Sequence, residues 1–351
     1  MKTLINEQEL LNQAVHAFHH ETGFELHKRE ASKVRPYSDG FILELGSTGI
    51  EYSVELKRWA QQANVGTIAA QMRRLPAPAL LVADYVNPNM ADRLKGAGIQ
   101  FIDAAGNAYL NERKFFIFVK GNRPDSLSAS PRKTSRAFNA SGLKLIFSFL
   151  TDPHLVGQSY RKMAEASGVS LGAIGWVLND LKDKGYVREH GKKGSRSLES
   201  AMELFDRWVE TYPEKLLPEL GMGLFQAKSE VPWKEIRPEA FGGCWGGEVA
   251  ASFLDDFLSP AQGTIYLPRD KLKNLVMEHR LRKASETMAS TSQVLQIYEK
   301  FWHYDPDNLH QNSGVAPDIL VYADLVASGD PRNLKAAERL YGKIRDRLQE
   351  Y

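Results

Sequence analysis

Apolar positions in the middle of the chain recur at helical spacing three times in quick succession. Residues 141–153, SGLKLIFSFLTDP, predict an apolar helix stopped by Pro153. Ser159 stands as N-cap to a second helix over 160–167, ended by Gly168. Ser170 does the same for a third over 171–184, closed by Gly185. Ile174, Val177, Leu178 and Leu181 form the apolar stripe of that third helix. The period then shortens to two: YVREHGKKGSRSL predicts a strand, a basic tip between glycines, and a return strand. Ala164 is the small residue where two helices would cross, and Gly168 takes the turn between them. With Ile174 and Val177 beyond, this is helix-turn-helix spacing, and the hairpin after it predicts a wing.

Upstream, residues 6–22 predict an amphipathic helix with Leu10, Leu11, Ala14, Val15 and Phe18 on its apolar face. DGFILELGSTGIEYSVELKRW alternates through Phe41, Leu43 and Leu45, then through Ile50, Tyr52, Val54 and Leu56, which predicts a hairpin pairing Leu45 with Ile50. A helix over 60–75 follows, then strand ALLVADY, helix NPNMADRLKGAG and strand GIQFIDAAGNAYL. Downstream of the wing, 199–211 predicts a helix burying Leu204, Phe205, Trp208 and Val209. After it come a strand-like LGMGLFQAK, glycine turns feeding a helix from Glu248, and strand QGTIYLP. VAPDILVYADLVASGDPRNLKAAERLYGKIRDRL predicts an apolar strand, a helix, and a second helix after Asp330-Pro331.

These elements predict an α/β multidomain chain: an α/β domain over 1–121, a basic linker over 122–140, a winged helix over 141–198, and a carboxy-terminal α/β domain over 199–351. Charge reinforces the division. The 351 residues carry a formal net charge of only +2, yet residues 122–198 hold 13 Lys and Arg against 6 Asp and Glu. A phosphate backbone attracts such a local patch whatever the total. Duplex DNA is therefore the expected partner. Its contacts are expected from Ser159, Arg161, Ser170, Gly172, Ala173, Trp176 and Asn179 on the helices, and from Arg188, Lys192, Lys193 and Arg196 on the wing. Arg132, Lys133 and Arg136 of the linker are expected to add phosphate contacts. The outward positions of the third helix include no arginine for bidentate reading of guanine, so recognition is expected to lean on phosphate. A single such module needs either a second copy or a second domain to reach operator affinity; paired half-sites, and with them a homodimer on DNA, are the expectation.

The hairpin of the first domain bears a second candidate chemistry. Glu55 and Lys57 project from one face of its second strand, and Asp39 lies near their end of the ladder. An acidic residue beside Glu-x-Lys resembles the PD-(D/E)xK nuclease motif, in which Asp39 and Glu55 would hold Mg²⁺ and Lys57 would orient water. The order of helix, hairpin, crossover helix bearing Gln71, and strand fits the same fold. A strict ladder, however, turns Asp39 to the face of Leu56, and only a bulge at Gly40 would re-aim it. The alternative is a solvated face on which Glu and Lys alternate for solubility. The expectation is a nuclease-like fold without turnover, and no cofactor unless that site is active.

Other clusters weigh less. His16, His19, His20 and His27 lack a partnering carboxylate spacing. The Gly-turn, helix and strand after residue 241 suggest a degenerate nucleotidyltransferase-like core, because Thr264, Ile265 and Tyr266 stand where its Asp-x-Asp would be. Asp318 and Asp324 are six apart, a poor metal pair. The lone Cys244 excludes an intramolecular disulfide. A polar amino terminus without an apolar signal region or membrane-length run predicts a cytoplasmic protein.

FIDAAGNAYL, the central winged helix, GGEVAA and DILVYADLVASGDPRNLKAAERLY together resemble the AbiEi-like antitoxin family, transcriptional regulators of type IV toxin–antitoxin systems. The resemblance implies a DNA-binding autorepressor encoded with a nucleotidyltransferase-like toxin that it counters without a stable complex. It places antitoxicity in the carboxy-terminal domain. The long nuclease-like first domain departs from the short form of that family. Three readings follow: a repressor and antitoxin, a metal-dependent endonuclease targeted by a winged helix, and a non-catalytic scaffold.

Overall fold

A computed structural model describes residues 2–30, 41–57, 65–123, 136–191, 195–228, 232–285, 294–303 and 314–349. The chain divides into two compact units, Met1–Lys133 and Thr134–Tyr351.

In the first unit, α1 (Lys2–Thr22) buries Leu10, Leu11, Ala14 and Phe18, the face expected from their spacing. A seven-stranded sheet runs in chain order: β1 (Leu26–Glu30), β2 (Phe41–Leu45), β3 (Ile50–Lys57), β4 (Ala79–Ala83), β5 (Phe101–Asp103), β6 (Ala108–Glu112) and β7 (Phe115–Val119). β2 and β3 pair Leu45 with Ile50 and Leu43 with Tyr52, the predicted register. β4 joins β3 in parallel and β5 joins β4 in parallel, each through a crossover helix: α2 (Val65–Arg74), then α3 (Pro88–Gly96). Leu11, Ala14 and Phe18 pack on the face made by Leu43, Tyr52, Val54, Leu80, Val82, Ile102 and Leu110. Alternation sends Glu55, Lys57, Leu81, Phe101, Tyr109, Phe116 and Phe118 to the other face, where Lys95 of α3 lies over Phe118.

Two departures from the sequence reading have local causes. GIQFIDAAGNAYL is a strand, a tight turn and a second strand, because Asp103 folds the chain on itself. Its buried carboxylate accepts the backbone N–H groups of Val86, Ala105 and Asn107 and the Asn107 amide. Gly106 in that turn has φ +86°, and a Cβ there would lie 2.5 Å from Glu21 of α1. Phe115–Val119 adds a strand that alternation did not signal, since FFIFV is apolar on both faces.

The second unit opens with α4 (Ala140–Thr151), α5 (Tyr160–Ser167) and α6 (Leu171–Asp183), followed by the antiparallel pair β8 (Val187–His190) and β9 (Ser195–Leu198). Ser159 caps α5 through Lys162 N at 3.4 Å, and Gly168 turns the chain at φ +67°. Ser170 occupies the N-cap of α6 in extended conformation, but its side chain makes no capping bond. Met163 and Ser167 are the fully buried residues of α5, and Ala164 is half-buried.

α7 (Ala201–Lys215) ties these helices to the remainder. Trp208 donates its ring N–H to Leu143 O at 2.8 Å and packs on Phe147, which also touches Phe301. The remaining elements are α8 (Leu217–Leu220), β10 (Gly221–Gln226), β11 (Cys244–Gly246), α9 (Gly247–Asp255), β12 (Gly263–Leu267), α10 (Leu272–Glu278), β13 (Arg282–Lys283), β14 (Val294–Glu299), α11 (Asp318–Ser328) and α12 (Pro331–Leu348). Their sheet runs β11-β12-β14-β10-β13, with only β12 and β14 parallel.

The apolar strand expected at the start of VAPDILVYADLVASGDPRNLKAAERLYGKIRDRL is not formed: Asp318–Ser328 is one continuous helix. It is buried on nearly every side, so its apolar run lacks the one-sided stripe that marks a surface helix. No helix among the described residues is long and apolar enough to cross a membrane.

Candidate nucleic-acid interface

α6 buries Ile174, Val177, Leu178 and Leu181 and leaves Gly172, Trp176, Asn179 and Asp183 as an outward stripe at four- and three-residue steps. Trp176 is 61% exposed and Leu171, at the start of the helix, 53%, a large apolar display for an amphipathic helix. Ser159, Arg161, Ser170 and Arg188 are exposed, and Ala173 is half-buried. The stripe is uncharged until Asp183, so the cations border the helix face rather than occupy it.

Arg196 has a role that its sequence position did not announce. Its guanidinium donates to Val156 O at 2.9 Å and Gln158 O at 2.6 Å, and it lies 5.2 Å from the Tyr160 ring. Tyr160 in turn meets Gly175 of α6. The stack of Arg196, Tyr160 and Gly175 fixes the hairpin against the two helices. On the other strand, Glu189 takes an ion pair from Lys182 of α6, which holds its carboxyl below the usual range. Arg188 lies 3.4 Å from Glu199. Lys192, Lys193, Arg132 and Lys133 lie outside the described residues, as does the side chain of Arg136. Leu171, Tyr160 and the bracing role of Arg196 escaped the sequence reading, since exposure within a helical pattern shows only after packing. We expect Arg196→Ala to lower the melting temperature by several degrees, through loss of two charge-assisted hydrogen bonds worth ~1.5–3 kcal/mol each. An unchanged thermal midpoint would contradict the brace.

In the first unit, Glu55 and Lys57 share a face, as their spacing requires, and pair with each other at 2.9 Å, both largely shielded. Gln71 is buried on α2, which packs on β4. Asp39 and Gly40 lie outside the described residues. Glu55 is engaged by Lys57, and Asp84, just beyond β4, bonds through its backbone N–H to Lys57 O at 3.2 Å. Among the described residues no group of three His, Cys, Asp or Glu side chains converges. The amino-terminal histidines make separate local contacts: His19 with Phe24 O, His20 with Glu21 and His27 with Glu25.

A buried polar cluster lies in the second unit. Asp324 accepts hydroxyl hydrogen bonds from Tyr266 at 2.7 Å and Tyr212 at 2.9 Å, and a backbone bond from Gly247 at 3.1 Å. Burial pushes its carboxyl up to about 6 despite those donors, and pushes the Tyr212 and Tyr266 hydroxyls far up. The neighbouring Gly-Gly-Glu phrase is a joint. A Cβ on Gly246 would lie 2.5 Å from the Tyr266 ring, and Gly247 has φ +51° with Thr264 Oγ1 2.8 Å from a Cβ. Glu248 accepts from Ala261 N at 2.6 Å and Asn333 Nδ2 at 2.9 Å, linking α9 to α12. Asp318 pairs with Arg347 at 2.8 Å, so Asp318 and Asp324 serve different contacts on one helix.

Residues 197–347, from the last strand of the hairpin through α12, match a family of transcriptional regulators. The family is described as "Transcriptional regulator, AbiEi antitoxin, Type IV TA system", and this portion of the chain is similar to it. No curated protein and no solved structure matches the chain.

Proposed function

We propose that residues 141–198 form a winged helix that grips duplex DNA, and that the protein represses its own operon as a type IV antitoxin. The outward stripe of α6, braced by the Arg196–Tyr160 stack beside a basic hairpin, is the observation that carries this reading. A neutral, partly apolar helix face suits contact with base edges and thymine methyls, while Arg161, Arg188, Lys192 and Lys193 suit phosphate. The family match supports the regulatory role in a type IV toxin–antitoxin system; the partner gene proposed with it encodes a nucleotidyltransferase-like toxin.

Binding of the upstream region should fall steeply with salt. Removing Arg188, Lys192 and Lys193 together should flatten the log–log slope by about 2–3, at roughly 0.9 per phosphate contact. Trp176→Ala should instead reduce preference for operator over random duplex and leave the slope alone. If the triple variant keeps the wild-type slope, the hairpin is no wing. Footprints are expected as two protected segments about 34–36 Å apart or a multiple of that, one per copy of the homodimer. A single short footprint would contradict the paired arrangement.

A second reading, a DNA endonuclease, has one observation in its favour. Glu55 and Lys57 lie on a hairpin strand that a crossover helix joins to a parallel neighbour, the order found in nuclease-like cores. We favour a non-cleaving domain. Linear, supercoiled and branched DNA should survive incubation with Mn²⁺ or Mg²⁺. Cleavage abolished by both Glu55→Gln and Lys57→Ala would promote the enzyme reading.

A further inference from the structure

The outer strand of the first unit carries an aromatic surface that the winged-helix reading does not use. β7 is the last strand of the sheet and, among the described residues, pairs only with β6. Phe116 on its outer face is 58% exposed. It is rigidly seated: Tyr109 beneath it makes edge-on contacts with Phe116 at 6.0 Å and Phe118 at 5.9 Å. The Lys95 ammonium sits 5.4 Å from the Phe116 ring and 4.3 Å from the Phe118 ring. Arg113 and Lys114, in the turn just before the strand, are exposed, and no ion pair is formed by either among the described residues.

A large apolar ring held open to water beside cations needs an occupant with a flat apolar face and negative charge. A second copy of this strand is a poor candidate. Antiparallel self-pairing centred on Ile117 would set Lys114 opposite Lys120 of the copy, and parallel pairing would align like charges along the edge. The geometry points to a single-stranded DNA segment, one base stacked on Phe116 and its phosphates on Lys95, Arg113 and Lys114. In a duplex the base faces are already stacked on one another, so the patch favours unpaired strands. Stacking tolerates any base, so little sequence preference is expected. The first unit would then hold an unpaired strand while the second unit grips duplex.

Fluorescence polarisation with the full-length protein and labelled oligodeoxynucleotides of about a dozen residues tests this. Phe116→Ala should weaken single-strand binding about tenfold, and Phe116→Trp should retain or improve it. Arg113→Gln with Lys114→Gln should weaken it further and reduce its salt dependence. Binding of an upstream duplex should be unchanged in all three, which separates this site from the hairpin and α6. A 4-thiothymine oligonucleotide should crosslink to the peptide containing residues 115–119. Single-strand affinity unchanged in Phe116→Ala, equal losses on single strand and duplex, or tighter binding of the matched RNA would each overturn the proposal. So would concentration-dependent self-association abolished by Phe116→Ala, which would assign the surface to a second copy.

Discussion

Trp208→Ala should destabilise the whole of Thr134–Tyr351 by about 3–5 kcal/mol, the cost of emptying a large fully buried aromatic site. Three contacts disappear together: the hydrogen bond to Leu143 O at 2.8 Å, the packing on Phe147 at 5.6 Å and the stack on Tyr212 at 5.0 Å. Phe147 is shared with Phe301 and Trp302, so the cavity would open between α4 and the segment after β14. Trp208→Phe retains most of the ring but leaves Leu143 O without its donor, and should cost about 1–3 kcal/mol. In both variants, circular dichroism and duplex binding should be lost in one transition with denaturant. The reason is that the central helices share their core with the carboxy-terminal elements. Two transitions, with the residues 140–198 signal melting at its wild-type position, would show that the helices fold by themselves. The same argument predicts that a fragment limited to residues 141–198 exposes the Phe147 face and folds poorly alone.

That shared core also explains what the sequence did and did not disclose. The three central helices were legible because caps, glycines and a one-sided apolar stripe agree with one another at Ser159, Gly168 and Leu171–Asp183. The hairpin register was legible for the same reason, because period-two alternation in Phe41–Leu45 and Ile50–Lys57 fixes which residues face the core. β1 was hidden: after Leu26 it reads His-Lys-Arg-Glu, and what holds it is the ladder to β2, with Arg29 on Glu44 and Lys28 over Phe41. α11 was misread because burial on all sides erases the amphipathic signal. At the candidate interface the outward positions of α6 followed from its period. The engagement of Arg196 by Val156 and Gln158 did not, because a basic residue in a wing reads alike whether it braces the fold or meets phosphate. The boundary between the central helices and the carboxy-terminal region was drawn at the end of the predicted return strand, and the packing of Trp208 on Phe147 and Leu143 spans it.

Asp324 should make the second unit less stable as pH rises from about 4 to about 6. Its ordinary value of 3.8 is pushed up to about 6 by burial, since the charged form loses more in leaving water than the Tyr266, Tyr212 and Gly247 donors return. Between those values the folded state binds the proton that the unfolded chain has released, so stability falls with rising pH. Below about 4 both states are protonated and the penalty vanishes; above about 6 it is fully present. At 1.36 kcal/mol per unit, the penalty at neutral pH is about 3 kcal/mol. Asp324→Asn removes the titration and keeps an oxygen for the two tyrosines, but sets an amide N–H toward Gly247 N. Its absolute stability therefore mixes a gain with a lost hydrogen bond, and the slope is the cleaner quantity. The difference in unfolding free energy between wild type and Asp324→Asn should change by about 2 kcal/mol between pH 4 and pH 7, with the wild type relatively better at acid pH. Tyr298, also pushed up by burial and by Asp324, stays protonated throughout and adds no slope in this window. Parallel stability curves for the two proteins across that range would mean that the Asp324 carboxylate titrates as it would in water, and would remove the buried cluster as a source of pH dependence.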